Sequence, residues 1–345
     1  MNRPARKKVA WEHLSDDDLL DVRIGDLGVK LKGSPLEARV VQLFRELEQA
    51  ELGLRPKIFV SDEWLSPADQ GAIGVPFFLL HPRLRALESR MMFEVEGGSP
   101  AWCMKLLRHE AGHAFDHAYG LSRRKDWKEI FGSPSRPYQP YFYEIDPESR
   151  AFVHNVPDHY AQAHPSEDFA ETFAVWLDPR SDWRERYKGR PALRKLRYVD
   201  RLMREVRARR VPRRRWVVGP EARTLTSPLR RYYERKFRLY KLLDLSFAVR
   251  DMKTIFRVSR AAEPKDTAAE FIRARKKRLV QSIAGFSGER ESQVARVVAS
   301  LAQLSDQHRL VVRGEEEEAL LKFSAYATTL IVNRLLKHTY RATKP

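Results

Sequence analysis

His109, Glu110 and His113 stand in the order His-Glu-x-x-His. On a helix that spacing is a coordination geometry. Residues four apart lie one turn apart on one face, so both imidazoles can reach a single divalent ion. Glu110 then places a carboxylate beside the open side of the ion, where a water would have to lose a proton. The chemistry implied is metal-assisted hydrolysis. His117 repeats the spacing but sits about 12 Å along the axis from His109, too far to share the ion.

The flanking residues predict the helix that must carry these groups. Ser99 is a candidate N-cap with Pro100 in the first helical position, and Gly120 is a candidate stop. Trp102, Met104, Leu106, Leu107, Ala111, Ala114 and Phe115 supply apolar positions around much of this helix, which marks it as buried. Buried His109, Glu110, His113 and Asp116 then need partners, and a metal accounts for them together. Asp116 is a candidate to steady a ligand by hydrogen bonding. The extended metzincin pattern would need Gly at position 116 and His at 119; the chain has Asp116 and Tyr119, which excludes that subclass.

A third ligand is expected from a second helix over residues 164–177, ended by Asp178-Pro179. Glu167 and Glu171 share one face of it, while Phe169, Phe173 and Leu177 form the apolar stripe. Glu167 can ligate the ion and Glu171 can orient a ligand imidazole, with Asp168 as a rival ligand.

Taken together, His109-Glu110-x-x-His113 and Glu167-x-x-x-Glu171 resemble the gluzincin zinc peptidases. The family most similar is that of bacterial "putative zinc-binding metallopeptidases"; the catalytic domain of anthrax lethal factor is similar in motif only. The likeness runs from about Arg55 to Pro179. It includes Ser61-Asp62-Glu63-Trp64, Phe77-Phe78-Leu79-Leu80-His81-Pro82, the stretch 91–98, and the two motif segments themselves. It implies a zincin-like domain and one zinc ion held by His109, His113 and Glu167, with Glu110 as general base. It also implies a tyrosine seven residues before the ligand glutamate, here Tyr160, that donates a hydrogen bond to the oxyanion. Tyr138, Tyr141 and Tyr143 compete for that role. The expected substrate is a peptide or protein, extended along a sheet edge formed by residues 72–80, where Pro76 suits an edge strand.

The fold class expected is α+β: a zincin-like catalytic domain with a small mixed sheet and the HExxH helix, followed by a mainly α-helical C-terminal region. An amphipathic helix over 35–52, a strand over 56–60 and a strand over 72–80 lead into the motif helix. Residues 1–211 are read as the catalytic domain, 212–227 as a basic linker and 228–345 as a helical domain. Its expected helices are at 228–258, 266–286, 289–307 and 314–340.

The chain has 345 residues, 43% hydrophobic and 32% charged, with a formal charge of +18. That excludes a disordered polymer, and no uninterrupted apolar run is long enough for a membrane span. Cys103 is the single cysteine, so no intramolecular disulfide forms. With a basic start, Met1 to Lys8, that leads into no apolar stretch, this gives the expectation of a cytoplasmic protein. Residues 181–240 hold 21 Lys or Arg against 6 Asp or Glu, enough to attract an anionic partner such as nucleic acid. Two alternatives to a peptidase follow: a metallopeptidase-like binding protein that uses this basic surface, or a zinc hydrolase of a non-peptide substrate.

Overall fold

The computed structural model describes residues 10–68, 70–92, 94–138, 143, 145, 146, 148–212, 221–239, 245, 248–260 and 266–341. Tyr141, the basic start Met1 to Lys8, and residues 213–220 of the expected linker, with Arg213, Arg214, Arg215 and Trp216, lie outside them. The chain divides into two compact units, Met1–Tyr233 and Glu234–Pro345.

In the first unit, helix α1 (Glu37–Gln49) buries Val40, Leu43 and Leu47, whose three- and four-residue spacing forms one apolar stripe. Strands β1 (Lys57–Ser61) and β2 (Ala72–Pro76) then pair in parallel, with Ile58 opposite Ile73 and Phe59 opposite Gly74. Among the described residues, one antiparallel bridge, Leu65 to Gly74, makes the sheet mixed.

The expected strand over 72–80 ends early. Phe77–Leu80 form a 3-10 turn, because Pro76 has no amide to continue the ladder. Nor is β2 an open edge for a peptide. All five of its residues are buried; Gly74 exchanges both backbone bonds with Leu65, and the Ser66 hydroxyl donates to the Ala72 carbonyl. The Gly74 amide and carbonyl and the Ala72 carbonyl on that side are already used, so the sheet-edge expectation for residues 72–80 is corrected to core.

Helix α2 (Pro82–Met92) leads to the motif helix α3 (Pro100–Tyr119). The Ser99 side chain accepts from the Trp102 amide, and Gly120 stops the helix in the left-handed conformation at φ 63°. After the short α4 (Lys125–Phe131), helix α5 (Pro165–Leu177) starts with His164 accepting from the Ser166 amide and with Pro165 in its first turn. Helix α6 (Ala192–Arg207) follows.

Helices α3 and α5 touch at Gly112. A Cβ there would stand 2.9 Å from the Ala170 Cα and 3.1 Å from the Phe173 Cβ, so only glycine permits this approach. Phe115 and Phe173 close the seam with ring centroids 5.4 Å apart, and each buried Phe contributes roughly 1.5–3 kcal/mol. A buried ion cluster clamps the other side. Arg108 donates to both Glu46 oxygens at 2.7 Å and pairs with Asp178 at 2.8 Å, tying α1, α3 and the end of α5 together.

The second unit contains α7 (Ala248–Ile255), α8 (Ala268–Ser287), α9 (Glu291–Gln307) and α10 (Glu316–Arg341) around a core that includes Met252, Phe256, Ile272, Leu301 and Phe323. Thr267 caps α8 by accepting from the Glu270 amide. The helix expected over 228–258 is interrupted: Leu229–Leu239 and Ala248–Ile255 are helical and Leu245 between them is not. A two-residue antiparallel pair, β3 (Arg257–Val258) with β4 (Leu310–Val311), has no strand-length signal in the sequence. No helix among the described residues is long and apolar enough to cross a membrane.

Candidate metal centre

Because α3 and α5 touch at Gly112, the side chains flanking that contact face each other across the seam. Glu167 Oε2 lies 3.0 Å from His109 Nε2 and 3.1 Å from His113 Nε2, and the two Nε2 atoms are 3.2 Å apart. Ligand atoms on a tetrahedral zinc with bonds of about 2.0–2.1 Å stand about 3.3 Å from one another. The three atoms therefore have nearly the mutual spacing of one ion's ligands.

Their chemistry fits a cation as well as their spacing does. His109 Nδ1 donates to Glu171 Oε1 at 2.8 Å, so the neutral ring presents a lone pair at Nε2. That lone pair faces a carboxylate oxygen and a second imidazole nitrogen. Such a meeting of acceptors is favourable only around a proton or a metal ion. Without metal the protein answers with protons. Burial pushes His109 down, yet Glu167 and Glu171 carry it well above the ordinary histidine value; burial likewise opposes a net rise at His113 that Glu167 produces. Glu167 is the converse: burial raises it, and the pull of His113 and His109 leaves it far below the ordinary carboxylate value.

Glu110 is buried, and its Oε2 has no hydrogen-bond partner among the described residues. Burial raises its carboxyl, against the attraction of His109 and His113. An orphaned carboxylate oxygen beside a triangle of ligand atoms suits a proton acceptor for a water at the centre.

Glu171 is fully buried and its two oxygens are held by three donors: His109 Nδ1, Asn155 Nδ2 at 2.8 Å and the Val156 amide at 2.9 Å. Asn155 was not legible in the sequence, since it sits in irregular chain with no motif around it. The Asp116 carboxylate accepts from the Ser122 amide at 2.7 Å and so stabilises the turn after α3. Asp168, the rival ligand, points away into an ion pair with Lys195 at 2.7 Å; burial pushes its carboxyl up to about 7 despite that lysine. Cys103 is a buried thiol pushed up to about 12 by its burial, neither ligand nor nucleophile.

The chain enters Tyr160 through two successive left-handed residues, Asp158 and His159, at φ 64° and 51°. The Tyr143 hydroxyl pins that turn by donating to the Asp158 carbonyl at 2.8 Å. The Tyr160 ring stands 5.8 Å from that of His109, and its hydroxyl is 2.6 Å from the Tyr138 hydroxyl. Burial, then the charge of Glu167, holds the Tyr160 phenol well above its ordinary value. It stays protonated, and so a donor, at any working pH. Of the competing tyrosines, Tyr138 reaches this hydroxyl, and Tyr143 supports the turn instead.

Two helices thus bring together three donor atoms that could hold a divalent metal ion. Residues 104–185 match the profile of a family described as "Putative zinc-binding metallo-peptidase". The match takes in His109, Glu110, His113, Tyr160, Glu167 and Glu171, so the likeness read from the motifs holds for this stretch. It begins at Met104; the segments 61–64, 77–82 and 91–98 fall outside it. No curated protein and no solved structure matches the chain.

Proposed function

We propose that the chain is a zinc-dependent metallopeptidase that hydrolyses peptide bonds, with one zinc ion held by His109, His113 and Glu167 in the manner of the gluzincins. The observation that carries this reading is the triangle of Nε2, Nε2 and Oε2 atoms at 3.0 to 3.2 Å, with the unpartnered Glu110 oxygen beside it. Bound there, zinc supplies Lewis acidity to a substrate carbonyl and brings the pKa of a coordinated water to about neutrality.

The chain's own residues do the rest. Glu110 takes the proton from the attacking water and returns it to the departing amine. Tyr160 donates its phenolic proton as a hydrogen bond to the oxygen that gains charge when the carbonyl becomes tetrahedral. The Tyr138 hydroxyl holds that phenol in place. Glu171 fixes the His109 ring and keeps its proton on Nδ1, so that Nε2 stays free to ligate.

The experiment compares the purified protein with Glu110→Gln on an unstructured protein substrate, with zinc content measured on both. The wild type is expected to carry about one zinc per chain and to cleave. The variant keeps its zinc and loses about 10²–10⁴-fold in rate. Cleavage at equal rates would remove Glu110 from the chemistry and the peptidase reading with it.

A further inference from the structure

The cations of α6 fall into two groups. Lys195 pairs with Asp168, Arg204 with Asp200, and Arg207 with Glu51. Arg194, Arg197 and Arg201, exposed on one face at three- and four-residue spacing, have no carboxylate partner among the described residues. These three, with Arg190 from the preceding turn, line a surface cavity of about 690 Å³ whose far wall is α4.

The other charged groups of the lining have ion-pair partners of their own. Asp126 accepts from Arg124, Glu129 lies 3.9 Å from Lys125, and Lys188 is 3.2 Å from Glu185. Arg190 and Arg201 lie over the rings of Tyr187 and Tyr198, contacts that leave their charge unneutralised. Four arginines therefore line one concavity, where an anion would relieve the repulsion among their charges. The planar fork of each guanidinium matches phosphate oxygens two at a time.

Dimensions select among anions. The volume is in the range of small-ligand pockets. From Arg194 to Arg201 the helix rises about 10 Å, the reach of a short phosphate chain. Further along α6 the next arginines, Arg204 and Arg207, are tied to carboxylates, so within this helix the run of free cations stops at Arg201. A long nucleic-acid strand needs a continuing track; a compact polyanion does not.

We propose that this cavity binds a short phosphate chain, free or carried on a nucleotide, through Arg190, Arg194, Arg197 and Arg201. The site shares no residue with the candidate metal centre and does not depend on the peptidase reading.

The test titrates the full chain with tripolyphosphate by calorimetry at low and moderate salt. It compares the wild type with Arg194→Gln/Arg197→Gln/Arg201→Gln and with a control, Lys30→Gln/Lys32→Gln/Arg45→Gln, that removes the same charge from exposed positions elsewhere. Because polyphosphates chelate metals, only differences among the three proteins count. The expected result is saturable binding of one chain per protein, at least about tenfold weaker in the cavity variant and nearly unchanged in the control. Thermal melts of all three confirm that each is folded. ATP binding tighter than tripolyphosphate assigns the chain to a nucleotide; the reverse assigns it to the free phosphate chain. Absence of saturable binding, or equal weakening in both variants, overturns the proposal. So does a single-stranded oligonucleotide or polyglutamate that binds through these arginines when tripolyphosphate does not.

Discussion

At the scale of single residues, the candidate centre separates groups that would touch the ion from groups that hold them. Glu171 belongs to the second kind: its oxygens are used by His109, Asn155 and Val156, leaving it to orient rather than ligate. Glu171→Gln keeps the shape and removes the charge that stabilises the Nδ1 proton. Zinc affinity measured against a competing chelator is expected to fall about 10–100-fold. An unchanged affinity would mean that the His109 ring is set by packing alone. Tyr160→Phe makes the opposite separation. Its zinc content should match the wild type, while kcat falls about 10²–10³-fold with little change in KM, because the phenol acts only once charge develops on the carbonyl oxygen. Loss of zinc in this variant would place Tyr160 among the groups that build the site.

At the scale of elements, the centre depends on how closely α3 and α5 approach, and Gly112 sets that distance. Gly112→Ala would drive a methyl group into the Ala170 backbone 2.9 Å away. Overpacking of this kind costs about 1–3 kcal/mol, and here it also spreads the ligand triangle. Denaturant unfolding should show the loss of stability, and chelator competition a loss of zinc affinity. Gly285, in α8, is the comparison: nothing lies within 4 Å of an added Cβ, and Gly285→Ala should stabilise by about 0.4–1 kcal/mol. The helix ends were legible in the sequence because their signals are local: Ser99-Pro100 and Gly120 for α3, Asp178-Pro179 for the end of α5. The candidate ligands His109 and His113 were legible as a pair for the same reason, since four-residue spacing needs no tertiary knowledge. What was not legible came from afar or had no period. Arg108 meets Glu46 from 62 positions away, and Asn155 reaches Glu171 out of irregular chain. An apolar run such as 72–80 reads the same whether it continues as strand or coils into a 3-10 turn after Pro76.

Across the whole molecule, protons and metal compete for one buried cluster, which links stability to pH. In the metal-free protein His109 and His113 are raised above the ordinary 6.5, and Glu167 is held below the ordinary 4.5. A raised histidine contributes stability that is complete below its unfolded value and is lost as pH climbs through the folded one. A depressed carboxylate contributes stability that is complete above its unfolded value and is lost as pH falls through the folded one. For this cluster the metal-free protein therefore does best between about 4.5 and 6.5. Zinc must displace the histidine protons, so its affinity grows as pH rises out of that window. Free zinc at about a hundred times its dissociation constant stabilises by about 2.7 kcal/mol, but the same total zinc at lower pH falls short of that ratio. Thermal melts at pH 5.5 and pH 8, each with chelator and with buffered zinc, should show a small zinc-induced shift at the lower pH and a large one at the higher. His109→Ala should abolish the large shift. Equal shifts at both pH values, retained in that variant, would mean that the metal binds elsewhere and that the triangle formed by α3 and α5 is held together by protons alone.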